Sequence, residues 1–167
     1  IESIMDYAFI DCTNLSTITA NKLDNIKSIG LAAFYNTAWY NNQSDGLIYL
    51  NDCLIDYKTS NTETIKTLPN IIYVQHGTRH IAQDAFKDTT GLATVVLPEG
   101  IEIIDEGAFE NCQSLTNINL PSTLTTIGSF AFRDCVSLAQ LTIPQSVTAV
   151  GMNILENTAW EESQNYG

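Results

Sequence analysis

The chain has 167 residues, 44% hydrophobic and 16% charged, so it can bury a core as one domain or as a short array of repeats. Nineteen Asp and Glu stand against seven Lys and Arg, which gives a formal net charge of −12 and a pI near 4.2. A protein this acidic repels phosphate backbones, so we expect no nucleic-acid partner. No apolar run approaches the roughly 20 residues that cross a bilayer, so we expect no direct membrane insertion.

Two copies of the dipeptide Ala-Phe mark the first elements of the chain. They are Ala8-Phe9 and Ala33-Phe34, 25 residues apart. Leu15 follows the first Phe by six residues, a spacing that returns after three later Ala-Phe copies. Such self-similarity predicts stacked structural repeats.

The period breaks after the second copy. The next Ala-Phe lies 52 residues further on, and two apolar runs flank Asn51-Asp52 within this interval. Both turn residues tolerate the positive φ that a tight primed turn requires. The sequence therefore predicts an inserted β-hairpin over about residues 46–58.

The tetrapeptide Asn-Thr-Ala-Trp stands just before this hairpin, at 36–39, and again near the end of the chain, at 157–160. A Gln follows each Trp by four residues. A Trp required twice at one phase of the repeat is better explained as a packed wedge that redirects the chain than as a ligand platform. The second copy suggests that another hairpin follows Gly167.

The regular part of the array begins at about residue 72. Ala-Phe recurs at 85–86, 108–109 and 131–132, and a degenerate copy, Ile154-Leu155, falls one period later. Three further series keep the same 23-residue step, so the register is not a chance coincidence. These series are Leu92, Leu115 and Leu138; Pro98, Pro121 and Pro144; and Ile104, Ile127 and Val150.

The segment from Leu115 to Pro121 shows how one unit is built. Ile118 and Leu120 alternate with polar residues at the period of a strand with one buried face, and the proline ends the strand. The Ala-Phe stretch returns on the opposite side, where Ala permits close approach and Phe fills the interior. One such turn cannot bury its own apolar side, whereas stacked turns with parallel strands about 4.8 Å apart can.

These motifs resemble the BspA-like leucine-rich repeats, a family of bacterial and protist surface proteins. The matching residues are Ala-Phe-x-x-Cys-x-x-Leu at 108–115 and 131–138, with Ile-Gly at 127–128 and Val-Gly at 150–151. The resemblance implies an α/β-type repeat solenoid, a right-handed leucine-rich-repeat superhelix of parallel strands. It also implies an extracellular or cell-surface location, roles in adhesion to host or matrix proteins, and no family-wide catalytic residue.

We expect residues 1–167 to form a single solenoid fragment that is interrupted by the hairpin, and we expect it to be monomeric. The chain begins at Ile1 and carries no charged-then-apolar leader. We therefore expect a piece of a longer protein that extends at both ends.

Three of the four cysteines share one phase of the repeat. Cys12, Cys112 and Cys135 each follow a Phe by three residues, which places them in one internal column. Adjacent side chains in such a column lie about 4.8 Å apart, which is wider than disulfide geometry prefers. We predict buried, reduced thiols that act as small hydrophobes, and a packed apolar role for Cys53 on the hairpin. Zinc is not expected because no Cys-x-x-Cys pair is present.

Two other groups of polar residues invite comparison with metal sites. His76 and His80 are four residues apart, but this spacing does not converge in the turn after a strand, so we predict two exposed histidines. The clustered carboxylates lack the Gly-containing loop of a calcium site, so we predict a solvated acidic flank and no cofactor. These carboxylates are Glu99, Glu102, Asp105, Glu106 and Glu110, with Asp84 and Asp88 on the turn before.

Catalytic motifs find no support in the sequence. Both histidines fall in one turn, and the chain contains no nucleophile elbow and no glycine-rich phosphate loop. We therefore predict that the protein is not an enzyme.

The exposed side of the strands is the candidate binding surface, because in a solenoid it forms one continuous face. Strand alternation assigns uncharged residues to this face although the protein is strongly acidic. The candidate ligand-binding residues are Tyr73, Val96, Asn117, Asn119, Gln140 and Thr142, and Thr17, Thr19, Ile71 and Thr94 complete the face.

This face leads to two functional hypotheses. The first is an extracellular protein-interaction or adhesion module, whose ligand is a protein or a glycan. The alternative is a passive structural spacer with no ligand of its own, in which the face residues are simply good strand formers. An exposed apolar patch on the strand face or on the hairpin would favour binding, and a uniformly polar surface would favour the spacer.

Overall fold

Short strands in successive turns form the framework of the protein. The computed structural model describes residues 1–19, 26–59 and 69–164. The strands are β1 (Ser3–Ile4), β2 (Ser28–Ile29), β3 (Gly46–Leu50), β4 (Cys53–Lys58), β5 (Ile71–Tyr73), β6 (His80–Ile81), β7 (Thr94–Val96), β8 (Ile103–Ile104), β9 (Asn117–Ile118), β10 (Thr126–Ile127) and β11 (Ala149–Val150). Two short helices, α1 (Ala38–Asn41) and α2 (Ala159–Gln164), lie in the described residues.

The strands of successive turns pair side by side into three sheets. β1 pairs with β2, the second sheet has the order β5-β7-β9, and the third has the order β11-β10-β8-β6-β4-β3. The pairs are parallel except for the hairpin β3–β4. Thr94 pairs with Asn117 and Ile104 with Ile127, so neighbouring strands are offset by one sequence period. The predicted leucine-rich-repeat solenoid of parallel strands is confirmed.

Side chains at one phase of the repeat stack into buried columns. The rings of Phe86, Phe109 and Phe132 are fully buried, with successive centroids 5.0 and 5.4 Å apart and interplanar angles of 6° and 2°. These distances lie in the range in which aromatic pairs attract each other, so the predicted Phe column is confirmed. The neighbouring columns of Leu92, Leu115 and Leu138 and of Ile104 and Ile127 are also fully buried.

The cysteine column is buried among the later turns and exposed at the first. Cys112 and Cys135 are fully buried, and each Sγ donates to a carbonyl of the preceding turn at 3.1 Å. Cys53 is also buried, and burial raises the pKa of its thiol to about 12. The prediction was wrong for Cys12, which is exposed. Cys12 belongs to the turn of β1, whose one strand partner among the described residues is β2, so no further turn covers its outer side.

A column of residues with left-handed backbone conformation, which the repeat pattern did not indicate, ties the turns together in pairs. It lies two residues after the Phe position and alternates between Asp and Asn, which tolerate positive φ better than most residues. Each Asn side chain donates to the Asp of the turn before, at 2.8, 2.7 and 2.8 Å. The column consists of Asp11, Asn36, Asp88, Asn111, Asp134 and Asn157.

Close packing requires glycine directly after β10 and β11, at Gly128 and Gly151. A Cβ at Gly128 would lie 2.4 Å from the backbone nitrogen of Glu106, and one at Gly151 would lie 2.2 Å from that of Ser129. A side chain at either position would therefore push the neighbouring turn away.

The predicted hairpin is present over residues 46–58. β3 and β4 are antiparallel, and the turn between them includes Asn51 with φ 59°. The register shifts at Ile55, which is the extra residue of a β-bulge. β4 also pairs in parallel with β6, so the hairpin extends the third sheet by two strands.

The hairpin lies between two blocks of turns, and each block covers one face of the hairpin. We call the described residues up to Asn42 the two-turn block and those from Asn70 onward the four-turn block. The inner face of the hairpin packs on the four-turn block and the outer face on the two-turn block. The inner residues are Leu47, Tyr49, Leu54 and Tyr57, and the outer residues are Leu50, Cys53 and Ile55.

The recurring Asn-Thr-Ala-Trp motif begins a short helix in both places. The threonine hydroxyl, Thr37 for α1 and Thr158 for α2, accepts a hydrogen bond from the amide three residues on, at 3.0 and 3.1 Å. Trp39 packs edge-on against Phe34 with 5.4 Å between ring centroids, so it is part of the core rather than an exposed platform. In the parts of the chain that the structure describes, no helix is long and apolar enough to span a membrane.

Candidate functional site

The candidate binding face is the outer side of the sheet formed by β5, β7 and β9. The central residues Ile72, Val95 and Ile118 point inward and are 4%, 1% and 7% exposed. Their neighbours point outward because successive strand residues alternate between the two faces. Since β5, β7 and β9 are in register, the outward residues form rows that cross the turns.

Large apolar side chains are exposed in these rows. Tyr73 is 69% exposed, Ile71 is 45% exposed and Val96 is 36% exposed. Tyr73 and Val96 are register partners in adjacent strands, so they form one patch. The face is therefore not uniformly polar.

Two open depressions lie along the face. The first is lined by Tyr73 and Val96 together with His76, Leu97 and Pro98. The second, one to two turns further along, is lined by residues of β9 and of the following turn. These residues include Asn117, Asn119, Gln140, Thr142 and Pro144.

The structure brings most of the residues predicted for the face together, and the two exceptions are Thr17 and Thr19. Gln140 and Thr142 flank Leu141, which is only 9% exposed, so they continue the face one turn beyond β9. Thr17 and Thr19 are exposed but belong to the two-turn block, outside the sheet of β5, β7 and β9.

Asn119 is held by the backbone of the neighbouring turn. Its Oδ1 accepts from the Leu97 nitrogen and its Nδ2 donates to the Leu97 oxygen, both at 3.3 Å. The side chain thus extends the strand ladder beyond β9, which makes Asn119 less available to a ligand than its exposed neighbour Asn117. Strand alternation alone did not indicate this role.

The face is electrically distinct from the rest of the protein. None of the residues predicted for it is charged, although the chain carries a net charge of −12. A ligand therefore meets no desolvation cost for buried charge on this face.

The prediction of two exposed histidines was wrong for one of them. His76 is exposed at the rim of the first depression, whereas His80 is 5% exposed. Burial lowers the pKa of His80, and its Nδ1 has no hydrogen-bond partner among the residues that the structure describes. The backbone of Lys27 in the two-turn block hydrogen-bonds to His80, and Ile26 and Lys27 line the same depression as His80. The alignment of His80 with a regular turn could not reveal these contacts.

The acidic flank is solvated only in part, because several carboxylates bridge neighbouring turns. Glu110 is 8% exposed and pairs with Lys87 of the preceding turn at 3.0 Å and with Arg133 of the following turn. Glu102 pairs with Arg79 at 2.8 Å. Among the described residues, no group of three or more His, Cys, Asp or Glu is arranged to hold a metal ion.

Solved structures of bacterial leucine-rich-repeat proteins share this architecture. A leucine-rich repeat protein of T. pallidum is 27% identical over 66% of this chain and 51% of its own, with a TM-score of 0.53. The pneumococcal vaccine antigen PcpA is 25% identical over 76% of this chain and 33% of its own, with a TM-score of 0.60. A leucine-rich cell surface protein of Faecalibacterium prausnitzii, 22% identical over 90% of this chain and 41% of its own with a TM-score of 0.58, shows the fold alone.

The chain spans about half or less of the length of these proteins. No curated protein matches it significantly. Residues 1–44 and 79–164 match six copies of the BspA type leucine-rich repeat region, and the unmatched interval contains the hairpin. The chain therefore belongs to the BspA type leucine-rich repeat family.

Proposed function

We propose that the chain is a protein-interaction module displayed outside the cell. Its binding surface is the strand face of Ile71, Tyr73, Val96, Asn117, Gln140 and Thr142. Repeats of this kind generally mediate protein interactions and form non-enzymatic scaffolds. A cell-surface location is supported by the name of one structural relative, the pneumococcal vaccine antigen.

The observation that carries the proposal is the exposed patch of Tyr73 and Val96 on an otherwise acidic protein. Exposing a tyrosine ring to 69% on the outer side of the edge strand β5 contributes little to folding, since the ring lies outside the core. Aromatic residues are enriched at the energetic centres of protein interfaces because they bury a large area at low entropic cost. Tyr73 therefore suits the centre of an interface.

The chemistry of the face indicates what the partner presents. An apolar side chain of the partner fits the depression beside Tyr73, and the amides of Asn117 and Gln140 are placed to bond its polar groups. The net charge of −12 attracts basic proteins at long range, so a basic partner associates faster.

The proposal is tested with a triple variant, Tyr73→Lys, Asn117→Lys and Gln140→Lys. The three side chains are exposed, so the variant should fold with an unchanged circular dichroism spectrum and melting temperature. Peptides selected from a displayed random library on the wild-type chain, and a panel of immobilised extracellular-matrix proteins, serve as probes. We expect the probes that bind the wild-type chain to lose at least about tenfold in affinity for the variant, equivalent to roughly 1.4 kcal/mol.

A matched control carries three lysines on other exposed residues: Thr17→Lys, Thr19→Lys and Val136→Lys. Full binding of a probe to the strand-face variant would place the site elsewhere. An equal loss of affinity in the control would show that the effect comes from the added charge. Binding only to neutral oligosaccharides on an array would assign the face to a glycan. No binding by any probe would favour the spacer.

A further inference from the structure

The sixth turn of the repeat aligns with the second turn without a gap, and the two share the Asn-Thr-Ala-Trp motif and the glycine before it. Both turns end in Asn-Thr-Ala-Trp and both lead into a helix capped by the threonine of that motif. In both turns the backbone nitrogen of the Trp donates to a backbone carbonyl of the turn before, that of Leu15 at 2.7 Å and that of Leu138 at 2.8 Å. Each of these leucines lies six positions after the Phe of its own turn. Aligning Trp39 with Trp160 therefore aligns the turns before them as well.

The second turn buries its outer side under the hairpin. Ile29 and Phe34 are 2% and 4% exposed, and they pack in one cluster with Leu50 and Cys53. Lys58 fixes the hairpin to the end of α1, because its Nζ donates to the carbonyls of three residues there. The acceptors are Tyr40 at 3.0 Å, Asn41 at 2.8 Å and Gln43 at 2.6 Å.

The sixth turn is also apolar at these positions, with Val150 aligned with Ile29 and Leu155 with Phe34, and no other described turn covers the outer side of its strand β11. Val150 is 54% exposed, and Met152, which aligns with Leu31, is 70% exposed. Leu155 and Val147 pack against the core of the four-turn block. The described residues thus contain the same turn twice, once covered by a hairpin and once uncovered.

From this duplication we propose that the outer side of the sixth turn is a docking surface for a second β-hairpin of the Gly46–Lys58 type. The hairpin is supplied by the segment that follows α2 in a longer form of this protein. It carries apolar residues at the positions of Leu50, Cys53 and Ile55, and a basic residue at the position of Lys58 that bonds the carbonyls at the end of α2. The hairpin then starts another block of repeats.

One difference between the two turns makes the proposal more specific. Tyr40 donates its hydroxyl to Asp56 of the first hairpin, but the aligned residue of the sixth turn is Glu161. An Asp opposite Glu161 would bring two like charges together. The second hairpin therefore carries a hydrogen-bond donor, not an acidic residue, at the position of Asp56.

The docking surface is tested with a fusion protein whose first part is residues 1–162 of the chain. A second copy of the chain, from Asn42 onward, follows Glu162 of this first part. Val150→Cys in the first part reports on exposure, Cys12→Ser removes the exposed native thiol, and Glu161→Tyr restores the partner of Asp56. The same three substitutions are made in the single chain for comparison. We expect alkylation of the introduced thiol to be at least about tenfold slower in the fusion, because reaction then requires local opening.

A matched fusion carries Leu50→Asp in the second copy, which should restore the fast alkylation of the single chain. Equal rates in the single chain and in the unmodified fusion would overturn the proposal. So would a single chain that is dimeric by light scattering and already protected at position 150, since a second copy would then be the occupant. The sequence that follows α2 in the full-length gene gives a check that does not depend on folding: the proposal fails if two apolar runs around a tight turn are missing there.

Discussion

At the scale of single residues, position within the stack decides what a repeated side chain does. Phe109 lies between Phe86 and Phe132 and is fully buried, whereas Phe9 of the first turn is 40% exposed. Both stack on a neighbouring ring, but Phe9 has one on one side only. The same residue type therefore contributes unequally to stability along the array.

Replacing Phe109 by Ala should cost about 3–5 kcal/mol of unfolding free energy, because the ring leaves a cavity between two others. The matched change at Phe9 should cost clearly less. Chemical denaturation of both variants measures the difference. Equal, small losses would contradict the proposed ladder.

His80 should make stability depend on pH. Burial holds the pKa of His80 in the folded protein below its ordinary value of 6.5, although Asp52 and Glu102 counteract this in part and Arg79 adds to it. The unfolded state then binds the proton more readily, so this contribution to stability is complete above pH 6.5 and is lost as the pH falls from there towards the folded pKa.

The measurement is the unfolding free energy at several pH values between 7.5 and 5. His80→Ile, which places the residue of the next turn at this position, should flatten the curve relative to the wild type. The exposed His76→Gln serves as control and should leave the curve unchanged. Parallel curves for the wild type and His80→Ile would contradict the lowered pKa of His80.

One of the four thiols should react fast with an alkylating reagent, and the other three should react slowly. Cys12 is exposed, whereas Cys53, Cys112 and Cys135 are buried, and a buried apolar environment suppresses the reactive thiolate. Iodoacetamide followed by mass spectrometry of the native protein should label Cys12 first. A disulfide between Cys112 and Cys135, or rapid labelling of Cys112, would contradict the packing.

At the scale of elements, the hairpin is the part that joins two differently placed blocks. Its alternate residues face two separate cores, and the β-bulge at Ile55 adjusts the strand between them. Lys58 holds it to α1, and its ammonium group also lies over the Tyr40 ring, 5.3 Å from the centroid. The contact is between a charge and the carbonyls at a helix end, where cations are favoured.

Lys58→Met should lower the unfolding free energy by about 1.5–3 kcal/mol, the usual value for hydrogen bonds that involve a charged group. Met keeps most of the aliphatic stem, so the loss reflects the ammonium contacts. Lys27→Met is the matched control, since Lys27 makes an ion pair with Glu2 in which both side chains are well exposed. Urea denaturation that finds no larger loss for Lys58 than for Lys27 would contradict this role.

The sequence predicted the elements well and their burial less well. Period and alternation predicted the parallel strands, the Phe and Leu columns and the hairpin, because these depend on the pattern of one turn. They did not predict that Cys12 is exposed or that His80 is buried. Those outcomes depend on which turn has a neighbour and on how the two-turn block folds over the hairpin. The role of Asn119 was missed for a similar reason, since its partner is the backbone of another turn.

At the scale of the whole molecule, the array offers a continuous uncharged face on a strongly acidic protein. The four-turn block is rigidified by stacked columns and by ion pairs such as Glu110 with Lys87 and Arg133. A stiff face lowers the entropy lost on binding, because the side chains that contact a partner are already positioned. The candidate site thus follows from the repeat itself, while the identity of its residues varies from turn to turn.

The most direct test of the strand-face hypothesis is the footprint of a bound ligand, measured by chemical-shift mapping on the isotope-labelled 18.4 kDa chain. A peptide selected on the wild-type chain is titrated into it. The hypothesis predicts that the largest shifts fall on Ile71–Tyr73, Thr94–Val96, Asn117 and the segment 140–142. Shifts concentrated on the hairpin or on the acidic flank around Glu110 would contradict it.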